Sequence, residues 1–164
     1  MGKKASMRFE TQFGPVWAAV NENGAVTAFG FGAGNGDGAR DAEVARQIEH
    51  FFAGKRRAFD LPLAPEGSEF QKRVWSELVR IPFGETISYG ELARRVGRPG
   101  AARAVGRANA TNPIALIVPC HRVIGANGKL TGYAGGIDLK EKLLAWERKL
   151  TAGGADCGFL PGVL

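Results

Sequence analysis

The chain has 164 residues, 45% of them hydrophobic, and a net charge of +6 at pH 7, which is enough apolar content for a core and excludes disorder over most of its length. No run of about 18 apolar residues occurs, so no membrane span is expected, and the basic start MGKKAS is not followed by the apolar stretch of a secretory leader, so none is expected there. Two cysteines, Cys120 and Cys157, without a CxxC spacing exclude a disulfide scaffold and a four-cysteine metal site, and point to a reducing cytoplasmic setting.

The charge is unevenly placed. Residues 1–67 carry 8 Lys/Arg and 8 Asp/Glu, residues 68–150 carry 14 and 7, and the last 14 residues hold only Asp156. A segment with all the excess positive charge fits a phosphate backbone, with a merely solvated basic face as the alternative.

In chain order, residues 8–31 read as short strands. Val16–Val20 and Ala25–Phe29 flank the hairpin turn signal Asn21-Glu-Asn-Gly24. Gly32, Gly34, Gly36 and Gly38 mark a loop over residues 32–40. Asp41 opens a helix with Val44, Ile48, Phe51 and Phe52 on one face, closed by Gly54 and Lys55-Arg-Arg57. Residues 60–67, with Pro62, Pro65 and Gly67, read as a linker. This first unit, residues 1–67, is a small α/β arrangement without visible chemistry.

The second unit, residues 68–150, opens with a capping box of Ser68 and Gln71 and an apolar face of Phe70, Val74, Trp75 and Leu78. Pro82-Phe-Gly84 breaks that helix. Ser88 and Glu91 form another capping box ahead of a short helix through Val96. Gly97-Arg-Pro-Gly100 turns into the small-residue helix 101–110, which carries Arg103 and Arg107. A helix, a glycine-containing turn and a basic helix make the helix-turn-helix pattern, although plain helical hairpins look similar. Asn112-Pro113 ends the second helix, and Ile114–Val118 is expected to be a buried strand. Gly125 to Gly136 is a glycine-rich loop. Asp138 with Glu141 is expected to cap a last helix whose apolar face holds Leu139, Leu143, Leu144 and Trp146, and the tail 151–164 is expected to be loosely held.

The chemistry concentrates at Pro119-Cys-His-Arg-Val123. A thiol becomes a nucleophile as thiolate, and a neighbouring base or cation is expected to lower its pKa. His121 is adjacent, within reach directly or through one water. Glu147 lies four residues after Leu143, so it shares the apolar face of the last helix, where a carboxylate needs a partner. Two pairings stay open: a relay of thiol, imidazole and carboxylate, or a helix-end glutamate paired with Lys140 or Arg148.

Together, Pro119-Cys-His-Arg-Val123, Phe83-Gly-Glu-Thr-Ile-Ser-Tyr-Gly-Glu-Leu-Ala93, Ala101-Ala-Arg-Ala-Val-Gly106, Asn112-Pro113 and Gly132-Tyr-Ala-Gly-Gly136 resemble the O6-alkylguanine-DNA alkyltransferases, also called methylated-DNA–protein-cysteine methyltransferases. The resemblance covers residues 68–150 strongly and residues 1–67 in outline. It implies an α/β fold with a small ribonuclease-H-like N-terminal domain and a C-terminal winged helix-turn-helix domain. It implies single-turnover DNA repair, in which Cys120 takes the alkyl group from O6 of a guanine turned out of the duplex, with activity on O4-methylthymine left open.

Residue by residue, it implies that His121, through a water, and Glu147 form the activating relay. Tyr89 lies beside the phosphate 3′ of the target and helps protonate the leaving guanine. Arg103 fills the vacated stack, Asn112 is the hinge between recognition helix and acceptor, and Ala102 and Arg107 lie on the DNA-facing helix. Tyr133 walls the guanine pocket. The carbonyls of Cys120 and Val123 accept from the guanine amine, and a backbone N–H at Ala134, where the family often has serine, meets O6. The implied partner is double-stranded DNA carrying O6-alkylguanine, approached from the minor groove by a monomer in the cytoplasm, associated with the nucleoid when bound, with no cofactor and no metal. A binding-only relative is disfavoured by Cys120, a winged-helix regulator leaves Glu147 unexplained, and a cysteine hydrolase differs by turning over.

Overall fold

The computed structural model describes residues 5–34, 40–133 and 135–152. The expectations for Gly36, Gly38, Ala134, Cys157 and the tail from residue 153 lie outside these residues. The chain begins with an antiparallel meander of β1 (Ala5–Thr11), β2 (Gly14–Val20) and β3 (Val26–Phe31), in the order 1-2-3. β1 pairs with β2 from Ala5↔Val20 to Thr11↔Gly14, and β2 with β3 from Val16↔Phe31 to Val20↔Val26. Alternation places Met7, Phe9, Val16, Ala18 and Val20 on the buried face, and a register shift at Ala19/Val20 brings both Val26 and Phe29 of β3 onto it. The turn expected at Asn21–Gly24 is present: the Asn21 side chain accepts from the backbone N–H groups of Asn23 and Ala25.

Helix α1 (Ala42–Phe52) starts where Asp41 predicts, its carboxylate accepting from the N–H groups of Glu43 and Val44. It buries Val44, Ala45, Gln47, Ile48, Phe51 and Phe52. Segment 60–67, read as a linker, extends the sheet locally: Val26 N–H donates to Pro62, and Ala64 N–H returns to Val26.

Three helices follow, α2 (Glu69–Leu78), α3 (Tyr89–Arg95) and α4 (Ala102–Ala110). Both reciprocal bonds of the Ser68–Gln71 capping box form, and Ser88 caps α3. α3 and α4 pack together across the turn Val96–Ala101, and α2 packs on both. Trp75 on α2 donates its indole N–H to the Ala108 carbonyl at 2.8 Å, which anchors α4.

Two expectations are corrected. Ile114–Val118 is not a strand. Only Ile114 bridges to Phe29, and the chain then folds into a turn in which Leu116 adopts φ +70° and Val118 N–H donates to the Ile114 carbonyl. All five residues are buried, and an apolar run is produced equally well by a turn enclosed in the core as by a strand. The last helix, α5 (Ile137–Ala152), begins one residue before Asp138. The Gly136 carbonyl accepts from Lys140 N–H, so Asp138 stands in the first turn, where its charge favours the helix dipole without capping it. A two-residue parallel pair, β4 (Ile87–Ser88) with β5 (Val123–Ile124), lies between these helices.

The core crosses residue 67. Trp146 on α5 stands 5.5 Å from Phe13, 5.4 Å from Phe51 and 5.8 Å from Phe83 between ring centroids, and Phe51 stacks on Phe59 at 4.9 Å. Phe51 is fully buried in this cluster. Phe51→Ala is therefore expected to cost about 3–5 kcal/mol. Urea unfolding followed by tryptophan fluorescence and circular dichroism should give one coincident transition. Two separate transitions in the wild-type chain would contradict a shared core.

Candidate active site

The buried turn that replaces the expected strand delivers Cys120 to the start of a 3-10 turn, Cys120–Arg122, directly ahead of β5. Asn112, between α4 and that turn, clamps it: its amide donates to the Val118 carbonyl at 2.8 Å, and its side-chain oxygen accepts from Ile114 N–H at 2.9 Å. Asn109, on α4 itself, donates to the Cys120 carbonyl at 3.3 Å. The helix and the cysteine are thus joined through side-chain amides rather than through sheet pairing.

Cys120 is 5% exposed. Burial pushes its thiol above the ordinary value, against smaller opposing effects of a hydrogen bond with Asn112 and the charge of Lys140. This reverses the expected lowering: withdrawal from water disfavours the thiolate more than the neighbours favour it. At neutral pH Cys120 therefore rests as a thiol.

A buried imidazole–carboxylate pair follows Cys120 directly in sequence. His121 is fully buried, and its Nε2 lies 2.6 Å from Oε2 of Glu147, which is also fully buried. Glu147 accepts in addition from Arg122, with Nε at 3.0 Å from Oε1 and Nη2 at 3.0 Å from Oε2, and from Gly84 N–H at 3.1 Å. Burial alone would raise the carboxyl pKa, but the hydrogen bonds from His121 and Arg122 and the charge of Arg122 outweigh it and hold the value at about 2. Burial lowers the His121 pKa, more than Glu147 raises it. The ion pair is therefore Arg122 with Glu147, and His121 is neutral beside it. A carboxylate only accepts, so the imidazole proton sits on Nε2 and leaves Nδ1 as the basic nitrogen. That Nδ1 is buried and has no hydrogen-bond partner among the described residues.

Gly84 is needed for this arrangement. Its φ is +86°, and a Cβ there would lie 2.6 Å from Thr151, so the turn that aims its N–H at Glu147 accepts glycine without strain.

The remaining predicted residues surround this centre to different degrees. Tyr133 faces His121 edge-on with centroids 6.3 Å apart, and its hydroxyl is buried. The Val123 carbonyl accepts from Lys140 Nζ at 2.7 Å. Tyr89 heads α3 with its hydroxyl 2.7 Å from Thr131 Oγ1. Arg103 and Arg107 are exposed on α4 and Ala102 is partly exposed, whereas Cys120, His121 and Glu147 are buried. Neither Lys140 nor Arg148 partners Glu147, which removes the alternative pairing: Lys140 donates to the Val123 and Thr131 carbonyls.

Sequence reasoning missed Arg122, Asn109 and Thr131, and offered Lys140 the wrong partner. Lys140 had a signal, standing seven residues before Glu147 and three before Leu143 on the buried face of α5. Arg122 had none, because its partners Ile81, Gly84 and Glu147 are distant in sequence.

The structure thus sets a buried cysteine next in sequence to an imidazole–carboxylate pair, tied by Asn109 to a helix that carries exposed Arg103 and Arg107. The family model for the 6-O-methylguanine DNA methyltransferase DNA-binding domain matches residues 69–149. The crystal structure of the Mycobacterium tuberculosis O6-methylguanine methyltransferase superposes with a TM-score of 0.80 at 43% identity, covering 90% of this chain and 94% of that one. The chain belongs to the methylated-DNA–protein-cysteine methyltransferase family. The methylated-DNA–protein-cysteine methyltransferase of Methanosarcina acetivorans is 65% identical over 105 residues, which span 64% of this chain and 67% of that protein. The Mycobacterium tuberculosis protein in complex with DNA gives a TM-score of 0.79 at 44% identity, covering 88% of this chain and 92% of that one.

The pKa shifts set the acid behaviour. Glu147 is lowered in the folded state from 4.5 to about 2, so the stability it confers is full above pH 4.5 and is lost as pH falls toward 2. His121 is lowered from 6.5, so the unfolded chain takes up that proton first and stability begins to decline below pH 6.5. Urea unfolding at stepped pH should show both losses. Glu147→Gln should remove the lower step and, by leaving Arg122 buried without its counter-charge, cost about 3–5 kcal/mol at neutral pH. A wild-type stability constant down to pH 2 would contradict the buried ion pair.

Proposed function

We propose that this chain repairs DNA by transferring the alkyl group of O6-methylguanine irreversibly to its own Cys120, one lesion per molecule. The observation that carries the reading is the His121–Glu147 contact of 2.6 Å, which leaves Nδ1 as a buried base next in sequence to the thiol. His121 takes the Cys120 proton through a water, and the sulfur electron pair forms the C–S bond as the O6–C bond breaks. The departing guanine takes a proton from Tyr89, and the proton lost by the thiol returns to Tyr89 through solvent. Atoms and charge balance without a cofactor or a metal. Tyr133 walls the base pocket, and the carbonyls of Cys120 and Val123 accept from the guanine amine. Each of those two carbonyls already accepts from a side chain, Asn109 or Lys140, and retains a second lone pair.

An O6-alkyl group inside a duplex is reached by turning the nucleotide out, at a cost of a few kcal/mol. We assign α4 to the minor groove, since Ala102, Ala104 and Gly106 let its backbone approach closely, with Arg103 filling the stack, Arg107 on the same face and Asn112 as the hinge. This reading treats residues 1–67 as a ribonuclease-H-like unit and residues 68–150 as a winged helix-turn-helix unit, acting as a monomer on double-stranded DNA in the cytoplasm. The meander with α1, the α3–α4 pair and the adjoining β4–β5 pair support it. No helix among the described residues is long and apolar enough to cross a membrane.

Mass spectrometry after incubation with duplex O6-methylguanine DNA tests the class directly: a gain of one CH2 on Cys120 is expected. Cys120→Ser should abolish transfer and keep DNA binding, because a hydroxyl is far less acidic than a thiol. Transfer by the serine variant, or transfer mapped to Cys157, would overturn the acceptor assignment.

Arg103→Ala separates flipping from chemistry. Single-turnover repair of the duplex should slow by about tenfold to a hundredfold, within the scale set by the flipping cost. Reaction with free O6-benzylguanine, which needs no flipping, should be almost unchanged. Equal slowing of both substrates would refute the stack-filling role.

A further inference from the structure

We propose that Thr131 is a positioning residue for alkyl transfer, its side-chain hydroxyl holding the Tyr89 hydroxyl in place before DNA arrives. The proposal rests on the reading of Tyr89 as the proton donor given above. The two oxygens lie 2.7 Å apart, between residues 42 apart in sequence. Nothing in the transfer mechanism so far uses this contact.

Both partners are fixed from behind. The Tyr89 ring lies against α4, since a Cβ placed on Gly106 would come within 3.7 Å of it. Tyr89 itself follows β4 directly, and β4 pairs with β5 through Ile87↔Val123 and Ser88↔Ile124. Thr131 is held by its carbonyl, which accepts from Lys140 Nζ at 3.1 Å. The same ammonium donates to the Val123 carbonyl at 2.7 Å, and Lys140 has no solvent exposure. The path Tyr89, Thr131, Lys140, Val123, β5, β4 and back to Tyr89 closes on itself, beginning three residues beyond the acceptor cysteine.

A phenol at a partly exposed helix start otherwise samples several rotamers, and fixing it at the moment of reaction carries an entropic cost. A hydrogen bond to a residue already anchored meets that cost in the free protein, which is the basis of preorganised proton transfer. In the direction that serves transfer, the Thr131 O–H donates to the Tyr89 oxygen. This leaves the phenol proton free for the leaving guanine and stabilises the negative charge that develops on the phenol oxygen as the proton departs. Thr131 touches neither the alkyl group nor the sulfur, so its effect runs through Tyr89.

The test uses single-turnover transfer from duplex O6-methylguanine DNA by the full chain. Thr131→Val removes the hydroxyl while keeping the side-chain volume and should slow transfer about fivefold, the scale of one hydrogen bond. Thr131→Ser restores the hydroxyl and should stay within about twofold of wild type. In a Tyr89→Phe background, Thr131→Val should add no further loss. Alkylation of Cys120 by iodoacetamide, which reads the His121–Glu147 relay without Tyr89, should be unchanged in both threonine variants. Wild-type rates for Thr131→Val, equal slowing by Val and Ser, faster transfer by Val, or full additivity with Tyr89→Phe would each overturn this role while leaving the acceptor assignment intact. Absence of transfer to Cys120 in the wild-type chain would instead overturn the functional reading, and this role with it.

Discussion

A carboxylate with no access to water must be compensated inside the protein, and the surroundings of Cys120 are organised around how Glu147 is compensated. Arg122 supplies the opposite charge, Gly84 a backbone donor and His121 the third direction. Burial, with the nearby charge of Arg122 as a smaller effect, keeps His121 neutral, and because Glu147 can only accept, the histidine tautomer is determined. The elements that bring these groups together are far apart in sequence: the turn after α2, the 3-10 turn and α5. Arg122 also donates to the Ile81 carbonyl at 2.7 Å, so one guanidinium ties all three together. Removing any one donor leaves a buried charge or lone pair unmet, which makes the arrangement cooperative rather than a sum of separate contacts.

The same burial explains why the thiol rests protonated. In a low-dielectric setting the thiolate is disfavoured and a neutral imidazole is favoured, so the resting pair is thiol and base rather than thiolate and imidazolium. Under the proposed function the protein reacts once and irreversibly, and gains from that choice. A thiolate is open to oxidation and to adventitious alkylation, whereas a buried thiol is protected from both. Under the proposed function, reactivity is confined to the moment when a substrate sits against Tyr133 and the proton has somewhere to go.

The basic helix is coupled to the cysteine by polar side chains at its C-terminal end. Trp75 anchors the Ala108 carbonyl, Asn109 reaches the Cys120 carbonyl, and Asn112 closes the enclosed turn between them. The small residues of α4 leave room for close approach from outside, while its buried side, Val105, Ala108 and Asn109, faces the core. A displacement of this helix would act on the backbone around Cys120 through two amide side chains. The aromatic cluster of Phe13, Phe51, Phe83 and Trp146 joins the β-meander side to α5, so the part of the chain without chemistry of its own buttresses the helix that carries Glu147.

Local signals in the sequence were enough for what depends on neighbouring residues. The Asp41, Ser68 and Ser88 caps, the Asn21–Gly24 turn and the glycine turn between α3 and α4 were legible, because capping and turn chemistry act within three or four residues. The motif around Cys120 and the apolar spacing of α5 also placed Glu147 in the core. What the sequence by itself could not determine depends on which segments meet. Ile114–Val118 read as a strand because its burial was visible but the surface enclosing it was not. The direction of the Cys120 pKa shift depends on the depth of burial, and Glu147 looked able to pair with Lys140 because the approach of Arg122 from the 3-10 turn has no local signature. Thr131 and Tyr89, 42 residues apart, share no periodicity that could connect them. Their contact exists only because β4 and β5 pair and Lys140 is buried between loop and helix, and that is decided by tertiary packing alone.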